Sequence, residues 1–117
     1  MNEFKTLKEN LTEYDFQIFL DVRETLLNTR YEYASRDVKM LEKFENLYEI
    51  YTYLCYLRWS ANKRVEWFES FFELDATDKK DYEQLICYMY RLNECIQYIE
   101  DESDACAEPT YVGKVEL

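Results

Sequence analysis

Carboxylates are the only side chains in this sequence whose number and spacing suit catalysis or charge-based binding. The 117 residues include 25 aspartates and glutamates but no histidine, so the commonest general base and metal ligand in proteins is missing. Catalytic triads that depend on imidazole are excluded for the same reason. A glycine-rich phosphate loop is also excluded, because Gly113 is the only glycine.

Two acidic pairs with Glu-x-x-Glu spacing, Glu42 with Glu45 and Glu66 with Glu69, lie on two predicted helices. This layout resembles the acidic pairs with which all-helical nucleoside triphosphate pyrophosphatases of the MazG type hold magnesium. Glu69 stands where that family typically has Asp. The resemblance implies a magnesium-dependent nucleotide pyrophosphatase, which we keep as a second alternative. Because both pairs flank apolar seams, the main expectation is a protein without enzymatic activity, cofactor or metal.

Acidic residues in the second half of the chain point instead to protein binding. Glu66, Glu69 and Glu73 recur at three- and four-residue steps, which places them on one stripe of a helix predicted from about Lys63 to Leu74. Aromatic residues near this stripe are either core residues or exposed anchors of a protein interface. The predicted partner-binding residues are Glu66, Trp67, Glu69, Phe71, Glu73, Asp75 and Asp78.

Net charge narrows the class of partner. The formal charge is −11, and residues 65–117 hold 14 acidic and four basic side chains, which predicts a negative face on the folded protein. Such a charge argues against direct binding to nucleic acid. The leading hypothesis is a small inhibitor that covers a basic, nucleic-acid-binding surface of another protein. Phage-encoded anti-CRISPR and anti-restriction proteins and nuclease immunity proteins are of this physical type.

Composition predicts an all-α protein, a compact bundle of four to five helices. The strongest helix breakers are absent before Pro109, and 48% of the residues are hydrophobic. We expect one helical domain over residues 1–104 and a short irregular tail over residues 105–117, extended or partly disordered. A long, largely buried central helix is predicted over about residues 36–59, because its C-terminal half is apolar almost all round.

The predicted helix starts follow from capping residues. Asn2 is assigned as the N-cap of a short first helix, and Thr12 as the N-cap of a second helix that reaches about Arg30. Ser35 is assigned to the central helix, and Thr77 to the last long helix. That last helix carries an apolar, heptad-like seam. Pairing through such a seam, as in a homodimer, gives the first alternative function, a helical assembly or regulatory adaptor protein.

Location and thiol state are also predicted. The N-terminus lacks a secretory signal and no apolar run is long enough for a bilayer, so we expect a cytoplasmic protein, in a host cell if phage-encoded, without membrane contact. The four cysteines have no Cys-x-x-Cys spacing and no histidine beside them, so we expect reduced thiols instead of a zinc site. They are Cys55, Cys87, Cys95 and Cys106.

Overall fold

The computed structural model describes residues 5–103, and this part of the chain folds into five α-helices without strands. The all-α helical bundle is thereby confirmed. The predicted tail, its Cys106 and the predicted cap Asn2 lie outside the described residues. The helices are α1 (Lys5–Asn10), α2 (Glu13–Leu27), α3 (Ala34–Leu41), α4 (Leu47–Glu69) and α5 (Ala76–Glu102).

Three helices begin at a side-chain cap, which satisfies a backbone N–H that has no partner inside the helix. Thr12 accepts from the Asp15 amide at 3.1 Å, so the predicted cap of α2 is confirmed. Asn46 caps α4 by accepting from the Glu49 amide at 2.8 Å. Asp75 caps α5 in the same way, with the Asp78 amide at 2.8 Å.

Two predicted caps are wrong. Thr77 lies inside the first turn of α5, because the Asp75 carboxylate takes the capping role two residues earlier. Ser35 lies inside the first turn of α3, which begins after Tyr33 without a side-chain cap. A carboxylate at a helix N-terminus also interacts favourably with the helix dipole, which explains why Asp75 is preferred to Thr77.

The long helix spans different residues from the predicted 36–59. Helix α3 ends at Leu41, where the next amides bond three residues back, as from Lys43 to the Met40 carbonyl at 3.1 Å. Asn46 then starts a new helix that continues to Glu69, through residues 60–62, where the sequence predicts a break between two helices. Ala61 is buried and is a strong helix former, which favours this continuation. The helix predicted at 63–74 is therefore the end of α4.

Helix α5 lies between α2 and α4 and runs antiparallel to both. Tyr51 contacts Glu100 near one end of the α4–α5 pair, and Tyr82 contacts Glu69 near the other. The core forms where apolar faces at three- and four-residue spacing meet. The buried positions of α4 are Leu47, Ile50, Leu54, Leu57, Ala61, Val65 and Phe68, and those of α5 are Leu85, Tyr88, Leu92, Cys95, Ile96 and Ile99.

Hydrogen bonds between tyrosine and carboxylate side chains tie the helices together. There are five such bonds. In each, a tyrosine O–H donates to a carboxylate of another helix at 2.6–2.9 Å, and one of the two residues belongs to α5. Charge-assisted bonds of this kind are stronger than those between neutral groups. The pairs are Tyr14 with Glu102, Tyr51 with Glu100, Tyr82 with Glu69, Tyr88 with Asp37, and Tyr98 with Asp21.

Over residues 5–103, none of the helices has both the length and the apolar composition that a membrane span requires. Among the described cysteines, Cys55, Cys87 and Cys95 are free thiols.

Candidate functional site

The predicted partner-binding residues lie at the end of the bundle where α4 turns into α5. Glu66, Trp67 and Glu69 belong to the last turns of α4, and Phe71 and Glu73 follow in the connecting turn. The remaining two, Asp75 and Asp78, form the N-cap and first turn of α5. The structure therefore brings all seven to one end of the molecule.

Trp67 and Phe71 face solvent. Trp67 is 56% exposed and Phe71 is 46% exposed, and their rings pack edge to face with centroids 4.7 Å apart. Neighbouring Phe72 is fully exposed. The two rings therefore lie outside the core, and their role as anchors of an interface stays a prediction.

Several carboxylates at this end already have partners. Glu66 pairs with Lys63 at 3.7 Å, and both side chains are more than half exposed. Glu69 accepts a hydrogen bond from the Tyr82 hydroxyl at 2.7 Å, and this bond raises the pKa of Tyr82. Asp75 caps α5. Within the acidic stripe, Glu66 is therefore partly neutralised by Lys63, and Glu69 takes part in the contact between α4 and α5.

A second group of carboxylates lines an open groove between α2 and α5, which the sequence pattern had not identified. Asp21, Glu24 and Glu94 line its walls, and its volume is about 440 Å³. An adjoining shallow groove on the face of α5 itself shares Glu94 and Tyr98 and extends the acidic surface to Asp101. Among the described residues that line the two grooves, none is a lysine or an arginine.

Hydrogen bonds orient two of these carboxylates, Asp21 and Asp101. Asp21 accepts from the Tyr98 hydroxyl at 2.7 Å and from the Gln17 amide group at 3.1 Å. Asp101 accepts from Gln97 at 3.0 Å. The bond to Asp21, together with desolvation, raises the pKa of Tyr98 to about 12, so Tyr98 stays a neutral donor at physiological pH. Rigid, oriented carboxylates favour a cationic partner without a further ordering cost.

Glu94 forms an ion pair with a basic residue of its own helix. Arg91 contacts it at 3.0 Å, one turn earlier on α5, and both side chains are about half exposed. An exposed ion pair of this type contributes little to stability and is screened by salt. A cationic partner therefore competes with Arg91 at low cost.

The floor of the groove is apolar and chemically inert. Val22 and Cys95 form it, and the Cys95 thiol donates to the Val22 carbonyl at 3.8 Å. Burial raises the pKa of Cys95 to about 12, so the sulfur is a thiol and not a thiolate at neutral pH. Because the thiolate is the nucleophilic form, Cys95 is a packing residue. The groove has the properties of a binding surface.

Part of this groove has a signal in the sequence. Asp21 and Glu24 are three residues apart on α2, and Glu94 and Asp101 are seven residues apart on α5, so each pair lies on one face of its helix. These spacings do not show that the two faces meet. That pairing depends on the packing of α2 against α5, between residues more than 70 positions apart.

The two Glu-x-x-Glu pairs do not meet in one site. Glu42 pairs with Arg23 at 3.8 Å, and the Glu45 amide donates to Glu49 at 2.8 Å, which places Glu45 at the start of α4. Glu66 lies 17 residues after Glu49 on the same helix, so the pairs are separated by roughly 25 Å. Within residues 5–103, acidic and cysteine side chains form no cluster suited to a metal ion. The geometry expected from the pyrophosphatase resemblance is absent.

Comparison with known proteins gives no relative: no protein-family model, no curated protein and no solved structure matches this chain.

Proposed function

We propose that this protein is an acidic binding module that inhibits a partner by covering a basic, nucleic-acid-binding surface, and that the α2–α5 groove is its contact surface. The observation that carries the proposal is the convergence of Asp21, Glu24, Glu94 and Asp101 on grooves that no lysine or arginine lines in the described chain. The formal charge of −11 supports it, because a strong negative potential speeds the capture of a cationic protein.

The arrangement suits imitation of nucleic-acid charge. Glu94 and Asp101 are separated by seven residues of α5, or about 10 Å along the helix axis. Asp21 and Glu24 provide a second row on α2, so two rows of negative charge run along the groove. A duplex likewise presents two rows of phosphates, with one charge per roughly 3.4 Å of axis on each strand. The protein is less densely charged, so we expect additional affinity from apolar contacts.

Aromatic rings beside the carboxylates supply such contacts. Tyr90 and Tyr98 line the groove that extends to Asp101, and Tyr90 is largely exposed. Tyrosine offers a large rigid contact area and a polar tip, and it is enriched where protein interfaces gain most of their energy. The partner is therefore expected to place arginine or lysine side chains between these rings and the carboxylates.

The proposal is tested by capture from host lysate at low and high salt. The captured protein should bind nucleic acid, be released by high salt and be displaced by duplex DNA. Replacing Glu24 and Glu94 by Gln and Asp101 by Asn should weaken capture at least about tenfold, since each removes a charge from the contact. Circular dichroism should show that this variant keeps the helical fold.

A matched control removes the same charge elsewhere. Glu66→Gln, Glu69→Gln and Glu73→Gln neutralise three carboxylates of the originally predicted stripe. This variant should capture the partner almost as well as the unmodified protein. Equal capture by the groove variant and the unmodified protein would contradict the proposed contact surface. Loss of capture in the control variant alone would support the site predicted from the sequence, around Trp67 and Phe71.

The alternative, a helical assembly or adaptor protein, is favoured by one specific observation. Helix α4 exposes a row of aromatic side chains on the face opposite the core, including Tyr56 and Trp59. An apolar contact of this kind should hold or tighten as salt increases, whereas binding through the acidic groove should weaken.

A further inference from the structure

The outward face of α4 carries exposed aromatic side chains, two that touch at its centre and one toward each end. Its four large exposed residues are Tyr48, Tyr56, Trp59 and Trp67, each between 38% and 58% exposed. Tyr56 stacks on Trp59 with centroids 6.2 Å apart, so the rings hold one another in an ordered array. Exposed apolar rows of this extent usually mark an interaction surface.

The four positions are symmetric about a point between Leu57 and Arg58, half a residue from the middle of α4. Tyr56 and Trp59 each lie about 2 Å from that point along the axis. The outer pair, Tyr48 and Trp67, each lie about 14 Å from it. Around the helix axis, Tyr48 and Trp59 point within about 20° of each other and form one lengthwise track. Tyr56 and Trp67 also point within about 20° of each other and form a second track, about 80° from the first.

We propose that this face binds a second copy of the chain, with the two α4 helices antiparallel and related by a two-fold axis at the helix midpoint. A two-fold interface is isologous, so when one residue contacts a second residue of the other copy, the reverse contact also occurs. Tyr56 then lies level with Trp59 of the second copy, and Tyr48 lies level with Trp67 of the second copy. The paired rings occupy opposite tracks and so lie side by side, and Tyr56 and Trp59 each lie about 4.5 Å, along the axis, from the same residue of the second copy.

Charge complementarity selects the antiparallel orientation. Lys63 lies on the same face and over the Trp59 ring at 5.8 Å. In the antiparallel pair Glu49 of the second copy lies level with Glu66, which Lys63 contacts at 3.7 Å within its own chain. The Lys63 ammonium group then lies about 4.5 Å, along the axis, from both carboxylate positions and offsets their mutual repulsion. A parallel pair would instead place Lys63 beside Lys63 and align the two helix dipoles unfavourably.

The available area fits a dimer that dissociates on dilution. If each ring contributes about 100 Å², roughly half the area that an aromatic side chain buries, the four rings supply about 400 Å² per copy. A stable interface needs about 800 Å² per partner. Thr52, Ser60 and the Lys63 stem lie on the same side of α4 and extend the contact.

Sedimentation over a range of protein concentrations tests the dimer. The unmodified protein should change from monomer to dimer as concentration rises. Combined Tyr56→Ala and Trp59→Ala substitutions should raise the dissociation constant at least about a hundredfold, because central aromatic residues dominate interface energy. Tyr90→Ala, which removes an exposed ring from α5, should leave the constant unchanged. A monomer at every concentration would overturn the proposal, and so would a Tyr90→Ala variant that weakens the dimer as much as the combined Tyr56→Ala and Trp59→Ala substitutions do.

Zero-length carbodiimide cross-linking tests the orientation independently. Lys63 and Glu49 are 14 residues apart on one straight helix, or about 21 Å, which is too far for a bond within one chain. A cross-link between them must therefore join two copies, and its appearance would support the antiparallel pair. Lys63 and Glu66, 3.7 Å apart in one chain, provide the internal control of reactivity. A dimer that gives the control product without the Lys63–Glu49 product would refute the orientation.

This surface is separate from the α2–α5 groove. If the unmodified protein dimerises and the groove variant still captures the partner, only the proposed inhibitor function is refuted. A monomer that still captures its partner would refute only the dimer.

Discussion

At the scale of single residues, the most constrained group is the carboxylate of Asp37. It is 3% exposed, accepts a hydrogen bond from the buried Tyr88 hydroxyl at 2.8 Å, and contacts the Arg36 guanidinium at 3.2 Å. Tyr31 stacks on the Tyr88 ring with centroids 4.5 Å apart. A buried charge is tolerated only when it is paired and hydrogen-bonded, and this cluster meets both conditions.

Removal of the Tyr88 hydroxyl should be costly. Tyr88→Phe leaves one side of a buried carboxylate without its donor, so we expect the free energy of unfolding to fall by about 1–3 kcal/mol. Tyr90→Phe, on the exposed face of α5, should change it by less than about 0.5 kcal/mol. Urea unfolding followed by circular dichroism measures both. Equal stability of the two variants would show that the Asp37–Tyr88 bond does not stabilise the fold.

At the scale of elements, caps decide where the helices begin. Asn46 separates α3 from α4, although the apolar pattern runs on through this region. The Phe44 amide bonds only to the Leu41 carbonyl three residues back at 3.3 Å, so the chain tightens before the new helix starts. Local hydrogen bonding thus overrides a continuous hydrophobic stripe.

The Asn46 cap should therefore have a measurable effect. Asn46→Ala leaves the Glu49 amide without its acceptor, and we expect a loss of about 1 kcal/mol in unfolding free energy. Asn62→Ala, in the exposed middle of α4, serves as the matched control. It should be nearly neutral, because alanine favours the helix interior. If the two variants lose equal stability in urea unfolding, the cap is not what begins α4.

At the scale of the whole molecule, acidic residues outnumber basic ones, 25 to 14. Tyrosine hydroxyls therefore serve as donors to carboxylates between helices, in positions where a lysine or arginine could otherwise form a salt bridge. The C-terminal turn of α5 carries Glu100, Asp101 and Glu102, which is unfavourable at the negative end of a helix dipole. The antiparallel arrangement offsets this, because Tyr14 and Tyr51, near the N-termini of α2 and α4, donate to Glu102 and Glu100. The helix ends of opposite polarity therefore lie together.

These bonds predict instability at alkaline pH. The pKa values of Tyr51, Tyr88 and Tyr98 are raised above the ordinary value of 10.0, chiefly by burial and by hydrogen bonds to carboxylates. Unfolded tyrosines ionise near that value while folded ones retain their protons. The contribution to stability is therefore complete below pH 10 and decreases as pH rises toward the folded pKa, about 12 for Tyr98.

Urea unfolding at increasing pH tests this directly. The unfolding midpoint should be constant up to about pH 9 and fall steeply above pH 10. Tyr98→Phe removes one linked group, so its midpoint should fall less steeply over that range. An unchanged slope in this variant would show that the Tyr98–Asp21 bond is not coupled to folding.

The sequence by itself determined the helical class, the Thr12 cap and the exclusion of imidazole and phosphate-loop chemistry, because composition, periodicity and capping act over a few residues. Only the tertiary structure decided that Asp21 and Glu24 face Glu94, and that the outward side of α4 stays exposed around Trp59. It also separated Glu42 from Glu66, which the spacing alone had left as one potential site. Which helix faces meet depends on contacts between residues far apart in the chain, and the free energy of those contacts has no signature in local spacing.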